Sequence, residues 1–415
     1  MRHAVVAGAG LAGLVAAERL SAEGFRVTIL EASPKAGGRC RSYRDDRLGR
    51  VIDNGNHLIL SANRAVLDWA RRIGGSGALE MGEAAFPFFD LATGARWTVR
   101  PGRGPLGALA PAARPPGMGA GALLRDMAGL LAAGPDRTVA AAVPGRGPGW
   151  DAFWDPMTRA VLNEAPERGA AQLLRAALLR SFAGGAGTAR PVFAPAGLGA
   201  ALVEPALRLL ERRGVALHLR RPVTKITGDA RIEALETPAG PVVLKEGDVA
   251  VLALPPRQSL ELLGRGAPPG RAILNAHFLL PESGLPPLLG LVGGDAHWLF
   301  RRGDVVSVTV SAEEDSALVG LPRGAALARL WSDVARAARG YGARPPDTVP
   351  PARLLRERAA TFEQTPSGAR LRSAQRTDRP NLFLAGDHVA TGLPATLEGA
   401  VRSGLRAAHL ARTAG

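Results

Sequence analysis

The sequence predicts an α/β protein: a doubly wound, Rossmann-type nucleotide domain assembled from discontinuous segments, plus a second, α+β domain. Three observations lead there. The apolar run Ala4 to Ala7 leads straight into Gly8-Ala9-Gly10-Leu11-Ala12-Gly13 and then an apolar-periodic stretch. A second apolar run near the other end of the chain, Leu382 to Ala385, stops at Gly386-Asp387. Between them, Ala272 to Leu280, Leu288 to Val292, His297 to Phe300 and Val305 to Ser311 read as strands of another sheet.

The N-terminal unit is the most explicit. Gly8 permits a tight turn, Gly10 lets the backbone approach a pyrophosphate, and Gly13 allows close helix–strand packing. A helix from Leu11 to Ala22 follows, so the N–H groups of Leu11, Ala12 and Gly13 and the positive end of the helix face the phosphates. Gly24 stops the helix, and Val27 to Leu30 is the second strand. Glu31, with Ala32 beside it, ends that strand where a carboxylate bonds ribose hydroxyls and repels a 2′-phosphate.

The remaining elements follow in chain order. A turn at Asp53-Asn54-Gly55-Asn56-His57 precedes a helix from Asn63 to Ile73, then a hairpin of Phe86 to Leu91 and Ala95 to Val99 around Thr93-Gly94. Pro101 to Gly149 is dense in Pro, Gly and Ala and reads as an irregular helical insertion; Pro101 to Ala132 is expected to be a membrane-facing entrance if the ligand is as oily as the resemblance given below implies. Helices are expected from Asp151 to Phe182 and from Gly197 to Arg213. Strands are expected at Ala216 to Leu219, Val223 to Thr227 and Val249 to Leu254. Arg323 to Arg339 is a helix, Leu354 to Phe362 a strand, and Ala395 to Arg412 the last helix. The nucleotide domain is thus expected over 1–85, 190–265 and 365–415, and the second domain over 86–189 and 266–364.

Composition removes several function classes. The 415 residues carry 46% hydrophobic side chains and a net charge of +15, nearly all of the positive charge being arginine. Aromatics are only 5% and the arginines are scattered, so no nucleic-acid stripe is expected. No apolar run approaches the ~20 residues of a membrane span, and the first strand begins too early for a signal peptide. The chain is placed in the cytoplasm, peripheral on the inner face of the membrane. Cys40 is the only cysteine; its neighbours Arg39 and Arg41 could make the thiol reactive, but a small residue filling a tight turn is the favoured reading. The seven histidines show no ligand spacing, so no metal is expected.

Gly37-Gly38-Arg39, following Glu31-Ala32-Ser33, resembles the loop of amine oxidases, phytoene desaturases and protoporphyrinogen oxidases. The resemblance implies FAD, with Gly38 and Arg39 at its phosphates, Asp387 after Gly386 on the ribityl hydroxyls, and Val223 against the adenine. It also implies that the helix starting at Thr396 and Leu397 points its N-terminus at the flavin pyrimidine, where its dipole favours a reduced, anionic ring. No second strand–glycine-loop–helix unit for NAD(P)H is apparent, and the electron donor stays open.

Longer matches narrow the family. Asp53-Asn54-Gly55-Asn56-His57, Ala160-Val161-Leu162-Asn163, Asn275-Ala276-His277, Ala359-Ala360-Thr361-Phe362 with Thr365-Pro366, and Thr391 to Gly404 are similar to bacterial hydroxysqualene dehydroxylases, also called squalene-associated FAD-dependent desaturases. His388 departs from the tryptophan expected after Gly386-Asp387. The family implies reduction of hydroxysqualene to squalene on the route to hopanoids. Protonating an allylic hydroxyl releases water, and hydride from reduced flavin quenches the cation. The turn Gly55-Asn56-His57 is then expected beside the isoalloxazine, with His57 the first candidate for the acid and Asn275 and His277 facing the pocket. Two other readings stay open on the same signatures: a phytoene desaturase-like or protoporphyrinogen oxidase-like enzyme, and a prenyl-lipid carrier such as the Rab escort proteins.

Overall fold

Every residue of the strand His3–Ala7 is buried, as its unbroken apolar run requires of a strand covered on both faces. It pairs in parallel with Arg26–Leu30 on one side and Val249–Leu252 on the other. The full parallel order is Ala216–His218, Arg26–Leu30, His3–Ala7, Val249–Leu252, Leu382–Leu384. The computed structural model describes residues 1–266 and 270–414; of the expected segments, 267–269 and 415 lie outside the described residues.

Helix Leu11–Ala22 and the C-terminal helix Leu397–Thr413 cover one face of this sheet. They cross closely because Gly404 has no side chain: a Cβ there would sit 2.4 Å from the Ala12 carbonyl oxygen. The other face is covered by a small antiparallel sheet of Lys225–Thr227, Ala234–Glu236 and Val242–Val243, through Ile226 and Leu235.

A second sheet of seven strands runs in the order Ala352–Phe362, Gly270–Leu279, Val305–Val310, Trp298–Arg302, Leu288–Val292, Phe86–Asp90, Arg96–Val99. Along Gly270–Leu279 the alternation is decisive. Leu274, Ala276 and Phe278 pack against helix Arg323–Gly340, while Leu279, on the opposite face with Asn275 and His277, meets Leu48, Ile52 and Tyr43. Those last residues belong to the ribbon Ser42–Asp45 and Arg50–Asp53 or to its turn.

Several elements differ from expectation for backbone reasons. The stretch expected as one helix from Gly197 to Arg213 opens as a π-helical turn, Gly199–Val203, before Glu204–Arg212. Pro205 carries no N–H to donate, so a regular α ladder cannot run through it. The helical stretch from Asp151 begins the same way at Trp150–Trp154 and breaks at Asn163, whose φ is +54°. The short helix Pro256–Leu262 was not expected, although proline at a first helical position is a start signal. The strand expected from Val223 is confined to Lys225–Thr227.

Candidate active site

The glycine loop separates into two kinds of glycine. Gly8 has φ +102°, and a Cβ on it would lie 2.4 Å from the Ala253 carbonyl oxygen; a Cβ on Gly13 would lie 1.9 Å from the Gly8 oxygen. Both are demanded by the protein's own packing. Gly10 is not: its φ is −72°, and a Cβ there would meet no protein atom within 4 Å. Gly10 is also the N-cap of helix Leu11–Ala22, which has no side-chain cap and no acidic residue in its first turn. An uncapped helix end beside an open glycine is a cradle for an anionic group.

Glu31 holds the rim of this cradle. Its carboxylate accepts the N–H of Ala9 at 2.7 Å and that of Ser33 at 2.8 Å, so Ala32 is wrapped in the turn beside it. Val223 packs against the cluster containing Leu30, Ile226 and Leu252. Gly37 and Gly38 both take positive φ, and Gly37 donates its N–H to the Ala9 oxygen. This binds the second loop to the first.

Arg39 and Asp387, 348 positions apart, form a two-pronged ion pair at 2.8 and 2.6 Å. Arg39 also donates to the Ala360 oxygen. Its Nε–H and one Nη2–H stay uncommitted among the described residues. Burial opposes both charges, but each outweighs that penalty for the other: the Asp387 carboxyl is held below its usual range and Arg39 stays fully protonated. Gly386, at φ +143°, donates its N–H to Ser403 on the C-terminal helix at 2.8 Å. Thr396 caps that helix by accepting the Gly399 N–H, and Leu397 is its first residue. Glu398 reaches across to accept the N–H groups of Ala65 and Val66, capping helix Arg64–Ile73 in turn.

The turn carrying His57 is pinned from below. Asp53 pairs with Arg302 at 3.0 Å and accepts the Leu198 N–H. Asn56 donates to Thr309 at 3.0 Å, and Thr309 donates to Asn275 at 3.0 Å. Asn275 is 1% exposed and a Cβ on Gly55 would lie 3.7 Å from its amide nitrogen. It therefore supports the turn from inside the sheet and does not face an open pocket, because the ribbon covers that face. His277 is fully buried for the same reason: its Nδ1 bonds Ser307 at 2.7 Å, its Nε2 has no partner, and burial pushes its pKa down to about 3.

His57 is half-buried, and its Nδ1 lies 3.0 Å from the Gly55 carbonyl. A carbonyl only accepts, so the proton of the neutral ring sits on Nδ1 and Nε2 offers a lone pair. Burial, the largest influence, lowers its pKa below the usual histidine value. His388 is buried, its Nε2 unpartnered and its pKa pushed down to about 4 by burial. The reactive reading of Cys40 fails: the residue is buried, and burial outweighs Arg39 and pushes the thiol up to about 12.

Two residues were missed by sequence reasoning. Gln364, fully buried, donates to the Leu162 oxygen and accepts the Ala395 N–H at 2.7 Å. Arg372 donates to the carbonyls of Asp387 and His388. Neither lies in a periodic or glycine-marked stretch, so no local signal points to them.

An anion cradle at a Rossmann turn, a carboxylate at the second strand end, and an Arg–Asp pair closing over a capped C-terminal helix define a dinucleotide-dependent oxidoreductase, and the residues fit FAD. Residues 11–411 match the family model for flavin containing amine oxidoreductases. The chain is 41% identical over 413 residues to a hydroxysqualene dehydroxylase of Sinorhizobium fredii, covering 98% of this chain and 97% of that one. It is 42% identical over 419 residues to one of Rhodopseudomonas palustris, covering 99% and 98%. Cyclohexylamine oxidase from Brevibacterium oxydans shares the fold at a TM-score of 0.71 and 16% identity, with 99% of each chain covered. The chain belongs to the hydroxysqualene dehydroxylase family within the flavin containing amine oxidoreductases.

Proposed function

We propose that this protein uses reduced FAD to convert hydroxysqualene to squalene, releasing water. Full-length identity to named hydroxysqualene dehydroxylases is the observation that carries the reading. When bound in its reduced form, FAD would supply the hydride that replaces the hydroxyl. Glu31, the helix end at Leu11 to Gly13, Arg39 and Asp387 would hold it, and Thr396 fixes the start of the C-terminal helix.

The chain's own part is to deliver one proton and keep the site dry. His57 takes a proton at Nε2 and passes it to the leaving hydroxyl. Its lowered pKa makes that proton scarce near neutrality but readily given up. Asn275 and Asn56 hold the turn that carries it. Leu58, next to His57, packs into a cluster with Phe86, Phe88, Trp97 and Trp298, where Phe88 stacks on Trp97 at 5.5 Å. An apolar cluster of this kind beside the turn would keep water away and offer no nucleophile to an allylic cation.

The insertion supports peripheral membrane contact as the route for an oily substrate. Leu106, Leu124 and Leu131 are 77%, 53% and 47% exposed. Leu124 and Leu131 share one face of helix Ala120–Ala132, while Leu123 and Leu130 face inward. No helix among the described residues is long and apolar enough to cross a membrane. The deciding experiment is a single turnover: FAD-loaded protein, chemically reduced and mixed with hydroxysqualene, is expected to yield squalene and oxidised flavin together. Flavin that stays reduced, with no squalene, overturns the assignment.

A further inference from the structure

Between Asp387 and the C-terminal helix the chain runs through an irregular loop with no strand or helix to hold it. Its carbonyls converge on one side chain. Arg372 donates to the oxygens of His388 at 3.2 Å, Leu393 at 2.7 Å and Asp387 at 2.9 Å, to that of Val389, and to the Thr391 hydroxyl at 3.2 Å. Its guanidinium carbon stands 4.6 Å from the centre of the Phe362 ring. Desolvation lowers the Arg372 pKa to about 10, with the nearby Asp387 opposing the fall, so the group is still charged at neutral pH. No salt bridge joins Arg372 to a carboxylate among the described residues; Asp387, the nearby candidate, is taken by Arg39. A half-buried cation that meets carbonyls in place of a counter-ion is spending its charge on backbone geometry.

We infer that Arg372 is a positioning residue of the cofactor site, setting the path of the Asp387–Leu393 loop and through it both the Asp387 carboxylate and the start of the C-terminal helix. A guanidinium is suited to this where an ammonium is not, because its planar fork presents five N–H donors in fixed directions. The opposite end of the loop is held by Gln364 through Ala395; Phe362 ends the strand Ala352–Phe362 and Gln364 lies two residues beyond it. The substrate-side sheet and the flavin-side loop are therefore joined through the short segment that Arg372 organises. The inference rests on FAD as the cofactor and not on the identity of the substrate.

The test uses purified holoenzyme of wild type, Arg372→Lys and Arg372→Ala, with Arg168→Ala as a control on an arginine outside the loop. Arg372→Lys keeps a charge but loses the fork. It is expected to bind FAD about tenfold more weakly or worse, since several hydrogen bonds to the loop are lost. The potential of its bound flavin should move to more negative values, because the helix end no longer stabilises the reduced ring. In Arg372→Ala, millimolar guanidinium is expected to restore the visible flavin spectrum, while equal sodium chloride does not. Should Arg372→Ala fail to fold, Arg372→Lys carries the test alone through its potential. Wild-type FAD affinity and potential in Arg372→Lys would overturn the inference. So would an unrescued Arg372→Ala that is folded, or an equal potential shift in the control. The turnover with hydroxysqualene is not part of this readout, so a wrong substrate assignment would leave these outcomes unchanged.

Discussion

Replacing Gly10 with alanine separates a glycine kept for the ligand from glycines kept for the fold. At φ −72° and ψ 177° an alanine fits the backbone without strain, and its Cβ meets no protein atom within 4 Å. The N-cap preference for glycine over alanine and the entropy gained by removing glycine from the unfolded chain nearly cancel, leaving apo stability within about 1 kcal/mol of wild type. The methyl group does, however, occupy the space in front of the uncapped N–H groups of Leu11 to Gly13. Losing two charge-assisted bonds to a diphosphate, at about 1.5–3 kcal/mol each, costs about 3–6 kcal/mol of FAD affinity, or about two to four decades in Kd. Gly8→Ala is the contrast. Its positive φ costs about 1–2 kcal/mol, and the Ala253 oxygen lies 2.4 Å from the new Cβ, so the apo fold itself weakens. Chemical denaturation of the apo-proteins and FAD titration by fluorescence quenching read the two effects separately. If Gly10→Ala binds FAD within about threefold of wild type, the diphosphate does not lie over Gly10 and the cradle is misassigned.

The remaining expectations concern protons and membranes. Because the His57 pKa lies below the usual value of 6.5, the single-turnover rate should climb as pH falls from 7.5 towards 6, by up to about tenfold per unit. His57→Gln should abolish that slope and run about tenfold slower or worse at pH 6; an unchanged profile removes His57 from the reaction. His277 binds no proton in the fold until about pH 3 but binds one in the unfolded chain below 6.5, so its contribution is complete above 6.5 and is lost as pH falls through that window. The penalty reaches about 2 kcal/mol at pH 5. The difference in unfolding free energy between pH 7.5 and 5 should shrink by that amount in His277→Gln, and equal pH sensitivity would show that His277 titrates normally. Wild-type protein is expected to float with anionic liposomes and Leu106→Ser/Leu124→Ser/Leu131→Ser about tenfold less; equal flotation would place the membrane contact elsewhere.

What the sequence discloses about this protein depends on how far apart the cooperating residues are. The glycine loop, its helix and Glu31 fall within one strand–turn–helix–strand unit, so spacing alone marks them, and strand and helix bounds there agree with the structure to within a residue. The C-terminal helix is nearly as plain: expected over Ala395 to Arg412, it runs over Leu397–Thr413 with Thr396 as its cap. Local chemistry misleads where the third dimension supplies the dominant effect. Arg39 and Arg41 flank Cys40 and suggest an acidified thiol, yet burial exceeds the pull of Arg39. Asn275 and His277 share a strand face, as alternation requires, but only the ribbon packed on that face reveals that it is closed.

The least legible residues are those that work by holding backbone. Arg372 reaches acceptors fifteen to twenty-one positions away, and Glu398 caps a helix 333 positions earlier. Neither relation has a period, a glycine or a spacing to announce it. The same distance explains their use. The nucleotide sheet draws its strands from widely separated parts of the chain, so the pieces that meet at the flavin share no local chain to fix their registry. Charged side chains reaching between the pieces help supply that registry: Arg39 to Asp387 and Glu398 to Ala65. On this argument the long-range contacts of charged side chains fix how the loop and the C-terminal helix meet the glycine motif, and the motif's helix end offers the N–H groups. Substitutions at these charges should therefore alter flavin properties before they alter the fold.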